Sequence, residues 1–252
     1  MARRGTLPDG PPSLNVGGGV ATIRFERPAE HNRIDPDDIA VLRDHLRRAA
    51  ATPAVRAVVF RGAGGKTFSS GFTLGAIRER LDRSFEELLD AIEQFALPTL
   101  AVLNGGVYGG ATDLALCCDW RIGVSGTRMF MPAARFGLHY YPGGLRRYVS
   151  TLGLAQAKRL FLTGQTLRAE EMLRIGFLTE LVSPGRLERT LADTLAAIAQ
   201  CEPSVVQSMK RQLNAIAAGD AAQMQAREAY ETSLASAELK RRLDALGPKG
   251  AH

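Results

Sequence analysis

Apolar and polar positions alternate along the first half of the chain in a pattern that predicts strands and helices in turn. Four short runs of β-branched and other apolar side chains predict buried strands, at residues 20–25, 57–60, 99–103 and 121–124. Two longer segments, residues 35–51 and 84–95, predict helices between them. This order of elements is typical of an α/β domain.

Capping residues predict where these two helices begin and end. We expect Asp35 to cap the first helix, with Pro36 at its first position, and the helix to stop before Pro53. Ser84 and Glu87 match the S-x-x-E pattern of a capping box. That pattern predicts that the second helix opens at Ser84.

From Gly143 onward the pattern becomes almost wholly helical. Four glycines are expected just beyond helix ends, at positions 153, 164, 176 and 219. Only residues 178–182 predict a further strand in this part. We therefore predict a disordered tail at residues 1–19, an α/β core over 20–200 and a helical region over 201–252.

The composition is that of a globular protein, with 252 residues of which 45% are hydrophobic and 23% charged. The longest apolar runs, such as residues 96–103, are far shorter than the roughly 20 residues that cross a membrane. Three cysteines without a CxxC pattern favour a reducing compartment, so we expect a cytoplasmic protein. Cys117 and Cys118 are expected to pack in a buried helix. The four histidines are dispersed, so no metal site is expected.

The net charge of +6 has two interpretations. It can reflect a solvated basic surface, or it can attract a polyanion such as a nucleic acid or a phosphorylated small molecule. No nucleic-acid-binding motif is present, and the basic residues do not alternate with aromatic ones. The charge therefore favours a phosphorylated ligand over a nucleic acid.

Two glycine-rich segments, SSGFTLGAI at residues 69–77 and YGGATDLAL at 108–116, are each expected to join a strand to a helix. Gly71 would let the chain turn tightly and leave the Phe72 N–H exposed. Gly109 and Gly110 precede a helix whose first N–H groups lack intrahelical partners. One N–H from each segment, aimed at one point, would form an oxyanion hole. Phosphate binding is the competing interpretation, but neither segment matches GxxxxGK[ST] or GxGxxG.

The two segments, in this order and spacing, resemble the crotonase superfamily, also called the enoyl-CoA hydratase/isomerase family. The resemblance spans nearly the whole chain and includes FERPAEHNRID, KTFSSGFTL, AVLNGGVYGGATDLALCCDWRIG and FMPAARFGLHYYPGGLRRYVSTLG. It implies a spiral of ββα units with a C-terminal helical trimerisation region, and a homotrimer or a hexamer. It also implies acyl-CoA thioester substrates, an enolate held by the N–H groups of Phe72 and Gly110, and no cofactor beyond the CoA of the substrate.

The same resemblance implies further residues that contact the substrate. Those expected around the acyl group and the thioester are Ser70, Gly71, Leu74, Gly109, Ala133, His139 and Tyr141. Arg27 and Lys66 are expected near the CoA nucleotide. The basic residues Lys240, Arg241 and Arg242 are expected to face the phosphate of a neighbouring subunit.

The acid and base residues depart from the pattern of the hydratases. Typical members use two glutamates, whereas this chain has Asp113 at the first position and Ala133 at the second. Arg135 is no substitute base, because its guanidinium stays protonated. Asp113 can be catalytic, or it can be an acid that complements the dipole of its helix. The missing carboxylate weighs against ordinary hydration and against a simple double-bond isomerase.

Tyr140 matches a tyrosine in the methylmalonyl-CoA decarboxylase branch of the superfamily. Loss of CO₂ from a malonyl thioester generates the enolate without a general base, and a tyrosine hydroxyl could orient the carboxylate or protonate the enolate. The competing interpretation of residues 139–144 is an aromatic-lined turn. The sequence thus leaves open a hydratase-like enzyme, a malonyl-type decarboxylase, and a non-catalytic protein that binds CoA or RNA.

Overall fold

A computed structural model describes residues 9–246 of the chain. The chain divides into two compact units, one that ends at Cys201 and one that begins at Glu202. The division falls one residue after the predicted boundary at 200. No helix among the described residues is long and apolar enough to cross a membrane.

Ten strands of the first unit form two sheets. The strands are β1 (Gly10–Gly17), β2 (Val20–Glu26), β3 (Ala57–Gly62), β4 (Thr67–Ser69), β5 (Thr99–Leu103), β6 (Gly106–Tyr108), β7 (Trp120–Val124), β8 (Arg128–Phe130), β9 (Leu167–Arg168) and β10 (Glu180–Val182). The larger sheet has the order β1-β2-β3-β5-β7-β10, and the smaller sheet has the order β4-β6-β8-β9. From β2 onward the larger sheet is parallel, and β4, β6 and β8 are parallel to one another. The four strands predicted in the first half are confirmed as β2, β3, β5 and β7.

Among the described residues the two units contain twelve α-helices. The first unit holds α1 (Asp38–Ala50), α2 (Ile77–Arg80), α3 (Arg83–Glu93), α4 (Gly110–Cys117), α5 (Pro142–Leu152), α6 (Leu154–Thr163), α7 (Ala169–Arg174) and α8 (Leu187–Gln200). The second unit holds α9 (Pro203–Ala217), α10 (Ala221–Gln225), α11 (Glu228–Leu234) and α12 (Ala237–Leu246). The helical character predicted for the last third is confirmed, with the short strands β9 and β10 as its exceptions.

The chain repeats one unit of structure three times. The pairs β3–β4, β5–β6 and β7–β8 each place their first strand in the larger sheet and their second in the smaller sheet, and a helical segment follows each pair. The expected ββα organisation is therefore confirmed. Because β4, β6 and β8 are parallel neighbours, the three connections at their carboxyl ends lie side by side.

The core lies between the larger sheet and the helices α1, α3 and α4. Every residue of β5 is buried, and α4 is buried from Ala111 to Cys117. All sides of α4 are thus enclosed by protein, and its side chains are apolar except for those of Thr112 and Asp113. The packing role predicted for Cys117 and Cys118 is confirmed, since both side chains are buried and belong to the core.

The predicted tail is wrong where the structure describes it. Residues 10–17 form β1, which pairs antiparallel with β2 across a turn in which Gly18 and Gly19 both have positive φ. Pro11 and Pro12 suggest a tail because they cannot donate to a ladder, but β1 is an edge strand, which tolerates them. The pairing register shifts at this point, between Gly10 and Ser13. Residues 1–8 lie outside the described residues.

Both predicted helix starts are also corrected. α1 begins at Asp38, because the Asp35 carboxylate binds Arg33 and Thr73 instead of capping the helix. α3 begins at Arg83, and Asp82 caps it by accepting a hydrogen bond from the Ser84 N–H at 2.8 Å. Ser84 is therefore inside the helix, and the S-x-x-E pattern is not its cap.

Candidate active site

Three connections at the carboxyl ends of β4, β6 and β8 meet at one cavity. The first contains Gly71 and Phe72, the second contains Gly109 and Gly110, and the third is a 3-10 turn at Ala133–Phe136. The cavity has a volume of about 760 Å³. Nine residues predicted from the sequence line it: Ser70, Phe72, Leu74, Gly109, Gly110, Ala133, His139, Tyr140 and Tyr141.

Gly71 brings the first two connections into contact. Its φ of 81° lies in the left-handed region that favours glycine, and a Cβ there would lie 2.7 Å from the Gly110 nitrogen. The Gly71 N–H is fixed by the Ser69 hydroxyl at 3.0 Å. Gly71 itself does not line the cavity. Its role is to let the backbone of one loop approach the backbone of the other.

The N–H groups of Phe72 and Gly110 are both available at the cavity. Gly110 is the first residue of α4, so its N–H has no partner within the helix. Neither N–H donates a hydrogen bond to any of residues 9–246. The Phe85 ring packs against the Phe72 ring, with centroids 5.5 Å apart, and lies close to Gly110. Two such donors at a helix start can bind an oxygen that carries negative charge.

Tyr140 and Tyr141 form another part of the cavity wall. Their rings are 4.5 Å apart between centroids, and Tyr141 is the residue immediately before α5. Both hydroxyls donate to Asp113 Oδ2, and the Tyr140 bond is 3.2 Å long. Gly144 makes this possible, because a Cβ at that position would lie 2.8 Å from Asp113 Oδ2 and would also overlap the Tyr140 ring.

Asp113, for which the sequence leaves both a catalytic and a helix-dipole role open, does not line the cavity. Its side chain is 0% exposed and forms an ion pair with Arg147, from Nε to Oδ1 at 2.9 Å and from Nη2 to Oδ2 at 3.1 Å. With the two tyrosine hydroxyls the carboxylate accepts four hydrogen bonds, which is about its full capacity. Asp113 therefore acts on the cavity only through the tyrosines.

The environment keeps the cavity tyrosines in their neutral form. Burial raises the pKa of Tyr140 well above its ordinary value, and the negative charge of Asp113 raises it further. The pKa of Tyr141 is raised by the same two causes in the same order, burial and then the charge of Asp113. A neutral phenol donates hydrogen bonds but does not accept a proton as a base.

The two residues expected near the CoA nucleotide lie outside the cavity lining. The Arg27 guanidinium is held by Asp38 at 2.5 and 3.1 Å and contacts Asp35 at 3.3 Å, so its expected role in binding CoA is not supported. Lys66 is exposed in the connection between β3 and β4 and forms no ion pair within residues 9–246. In the second unit, Arg241 and Arg242 both bind Glu238.

The sequence does not predict most of the aromatic residues that line the cavity, nor the Arg147 guanidinium that lies behind the tyrosines. Phe85, Tyr108, Phe130 and Phe136 line the cavity in addition to the three predicted aromatic residues. Their hydrophobic character alone predicts a place in the core as readily as one in a binding cavity. Nothing in the sequence links Arg147 to Asp113, which is 34 positions earlier. No group of three or more potential metal ligands occurs within the part of the chain that the structure describes.

Comparison with known proteins agrees with this architecture. The family model described as enoyl-CoA hydratase/isomerase matches residues 15–244. Short-chain-enoyl-CoA hydratase of Clostridium acetobutylicum is 29% identical over 208 residues, 80% of each chain. Crotonyl-CoA hydratase of Syntrophomonas wolfei is 30% identical over 67% of each chain. The crystal structure of enoyl-CoA hydratase from Bacillus anthracis has a TM-score of 0.85, with 94% and 96% of the two chains covered and 23% identity.

Fold and cavity thus define a crotonase-type α/β protein. The chain belongs to the enoyl-CoA hydratase/isomerase family, whose members process acyl-CoA thioesters. The resemblance inferred from the sequence motifs is confirmed at this level.

Proposed function

We propose that the protein binds an acyl-CoA thioester and stabilises its enolate, with the thioester oxygen accepting hydrogen bonds from the N–H groups of Phe72 and Gly110. The observation that carries this proposal is that Phe72 and Gly110 line one cavity and that neither backbone N–H has an acceptor among residues 9–246. Each donor of this kind typically contributes about 3 kcal/mol to the lowering of the barrier. The reaction needs no cofactor beyond the CoA of the substrate.

Calorimetry with acetoacetyl-CoA and acetoacetate tests this proposal. The thioester is expected to bind at least about tenfold more tightly than the free acid, because the polarised carbonyl and the CoA phosphates are contacted only in the thioester. Equal and negligible heats for the two ligands would contradict the proposal. If the protein instead retards the migration of RNA in a gel at physiological salt and does not bind CoA, the result would support the non-catalytic alternative.

A specific observation favours decarboxylation of a malonyl-type thioester as the second candidate function. Hydration needs a group that removes a proton from water, but position 133 is alanine and the Asp113 carboxylate is already saturated with donors. Loss of CO₂ starts without a base. The cavity then has only to hold the carboxylate and stabilise the enolate.

Tyr140 is the residue that we propose to hold this carboxylate. Its hydrogen bond to Asp113 is 3.2 Å, longer than usual for O–H···O, so its proton can be redirected to a ligand at small cost. The raised pKa opposes a phenolate, since burial and then the Asp113 charge both disfavour it. The favoured role is therefore hydrogen-bond donation to the substrate carboxylate, with proton transfer to the enolate carbon as the alternative.

Replacing Tyr140 by Phe tests the second candidate. CO₂ release from methylmalonyl-CoA is expected to fall about 10- to 100-fold, while the Kd for acetoacetyl-CoA stays within about threefold. Tyr148→Phe is the matched control, because Tyr148 is also buried but binds Thr112 and does not line the cavity. Rapid hydration of crotonyl-CoA that Tyr140→Phe leaves unchanged would remove the decarboxylase candidate.

We also propose the homotrimer, or hexamer, and the cytoplasmic location that the family resemblance implies. Large apolar side chains of α9 in the second unit, Met209, Leu213 and Ile216, are exposed in the single chain and would suit a subunit contact. Sedimentation equilibrium at micromolar concentration tests the assembly. A single species of about one chain's mass would contradict it.

A further inference from the structure

A buried guanidinium lies behind the tyrosines of the cavity wall. The Arg147 side chain is 1% exposed. It donates from Nε to Asp113, from Nη1 to Asp90 at 2.8 Å and Glu93 at 3.1 Å, and from Nη2 to Asp113 and to the Tyr141 oxygen at 3.3 Å. A guanidinium has five N–H donors, and here each has an acceptor. The acceptors on Asp113, on Asp90 and Glu93, and on Tyr141 therefore hold the guanidinium in one orientation.

Arg147 and the tyrosines share Asp113 as their common partner. The carboxylate is 0% exposed, so its charge is tolerated only because the guanidinium compensates it. The same carboxylate orients the hydroxyls of Tyr140 and Tyr141. A change at Arg147 must therefore reach the cavity through Asp113, although Arg147 does not line the cavity itself.

We propose that Arg147 is a positioning residue for the reaction: it fixes Asp113, and Asp113 orients the Tyr140 side chain before the Tyr140 hydroxyl turns its proton to the substrate. This inference rests on the proposed function. It assigns Asp113 to the support of a phenol, where typical hydratases of the family have a carboxylate that acts on the substrate. Lysine cannot replace this arginine. Only a planar guanidinium donates to Asp113 from Nε and Nη2 and, at the same time, to Asp90 and Glu93 from Nη1.

A double-mutant cycle between Arg147→Met and Tyr140→Phe tests the coupling. Arg147→Met is expected to lower kcat for methylmalonyl-CoA at least about tenfold, with the Kd for acetoacetyl-CoA within about threefold. When Arg147→Met is added to the Tyr140→Phe variant, kcat should fall by less than about threefold. Additive losses, or an unchanged kcat in folded Arg147→Met, would overturn the proposal.

Separate readouts of binding and turnover distinguish positioning from a loss of structure. In folded Arg147→Met the kcat should fall while the Kd for acetoacetyl-CoA stays within about threefold of the native value. Parallel losses of kcat and of acetoacetyl-CoA affinity would contradict the proposal.

Arg121→Met is the matched control for the loss of a buried guanidinium. Arg121 is 6% exposed and donates to the carbonyls of Phe177 and Cys118, away from the cavity. Arg121→Met should lower stability without changing kcat or the Kd for acetoacetyl-CoA per folded molecule. Arg147→Lys, which keeps the charge, should have a kcat between those of the native protein and Arg147→Met, and it carries the test if Arg147→Met does not fold. A kcat for folded Arg147→Lys equal to that of the native protein would show that the planar guanidinium is not needed.

Failure of the proposed function is distinguishable from failure of this inference. If the native protein turns over neither methylmalonyl-CoA nor crotonyl-CoA, the proposed chemistry fails. The same cycle can then be measured on the equilibrium constant for unfolding, where Arg147→Met and Tyr140→Phe should depart from additivity at least about threefold. Additive effects on unfolding would overturn the coupling through Asp113.

Discussion

One wall of the cavity, at residues 70–72 and 109–110, is held by main-chain geometry, whereas the wall at residues 139–141 is held by side-chain hydrogen bonds to distant residues. Gly71 permits the close approach of two backbone segments, and the helix start at Gly110 supplies a free N–H. Tyr140 and Tyr141 instead depend on Asp113 in α4 and Arg147 in α5. The first wall is built by backbone connections of the fold, and the second wall by contacts between side chains.

The largest effect is expected from Gly71→Ala, which disrupts the wall held by main-chain geometry. A Cβ there would lie 2.7 Å from the Gly110 nitrogen and 2.8 Å from the Tyr108 carbonyl oxygen, so the two loops must separate. Loss of the donor geometry should lower turnover by about 100-fold or more. Gly75→Ala is the control, since a Cβ at Gly75 meets nothing within 4 Å. Steady-state kinetics that give equal turnover for both folded variants would contradict the role of the loop contact.

Ala133→Glu sharpens the comparison by placing a carboxylate in the cavity lining outside both walls, at the position where the family resemblance leads us to expect one. Ala133 is buried and lines the cavity. Hydration of crotonyl-CoA should rise about tenfold, less than the 10²–10⁴-fold of a full acid–base pair, because Asp113 remains bound to Arg147. Ala133→Gln is the isosteric control without a charge. An equal rate in both variants would show that the alanine does not limit hydration.

Stability should fall in alkaline solution because of two buried tyrosines, Tyr140 in the second wall and Tyr148 outside the cavity lining. Burial, followed by the charge of Asp113, raises the pKa of Tyr140 and of Tyr148 in the folded state. Above pH about 10 the unfolded chain loses phenolic protons that the folded chain keeps, so the free energy of unfolding falls as pH rises. The slope is up to about 1.4 kcal/mol per pH unit for each such tyrosine.

Denaturant unfolding from pH 9 to 11 measures this slope. Tyr148→Phe should make it shallower, whereas Tyr230→Phe, at an exposed residue, should leave it unchanged. A native slope of zero would mean that the tyrosines titrate freely in the folded protein.

The smallest effect is expected at Lys66, which is exposed and lies outside the cavity lining. Lys66→Ala should weaken acetoacetyl-CoA binding about three- to tenfold at low salt and less at high salt, because an exposed charge is screened. Binding of acetoacetyl-pantetheine, which lacks the nucleotide, should not change. If calorimetry finds that Lys66→Ala weakens the binding of both ligands equally, Lys66 does not act on the nucleotide.

The sequence predicts the main-chain wall well because its determinants are local. Glycines at 71, 109 and 110 stand next to the strands and helices that they connect, so their spacing is visible along the chain. The four strands of the larger sheet that carry long apolar runs are predicted for the same reason. The strands β4, β6 and β8 are missed because three residues are too few to establish a period of two.

The side-chain wall could be predicted only in part. Tyr140, Tyr141 and Ala133 are identified as cavity residues by position in the motif. The sequence does not reveal that Asp113 turns away from the cavity, because its partner Arg147 stands in an ordinary amphipathic, basic segment of α5. The ion pair between Arg27 and Asp38 is likewise a tertiary contact that the sequence does not reveal.

Mass-spectrometric product analysis of the native protein with methylmalonyl-CoA and crotonyl-CoA tests most directly the claim that the cavity stabilises an enolate without a carboxylate at position 133. The claim predicts propionyl-CoA from the first substrate, and hydration of the second at no more than about one hundredth of that rate, since a positioned base contributes roughly 10²–10⁴-fold. Rapid formation of hydroxybutyryl-CoA with no propionyl-CoA would contradict it.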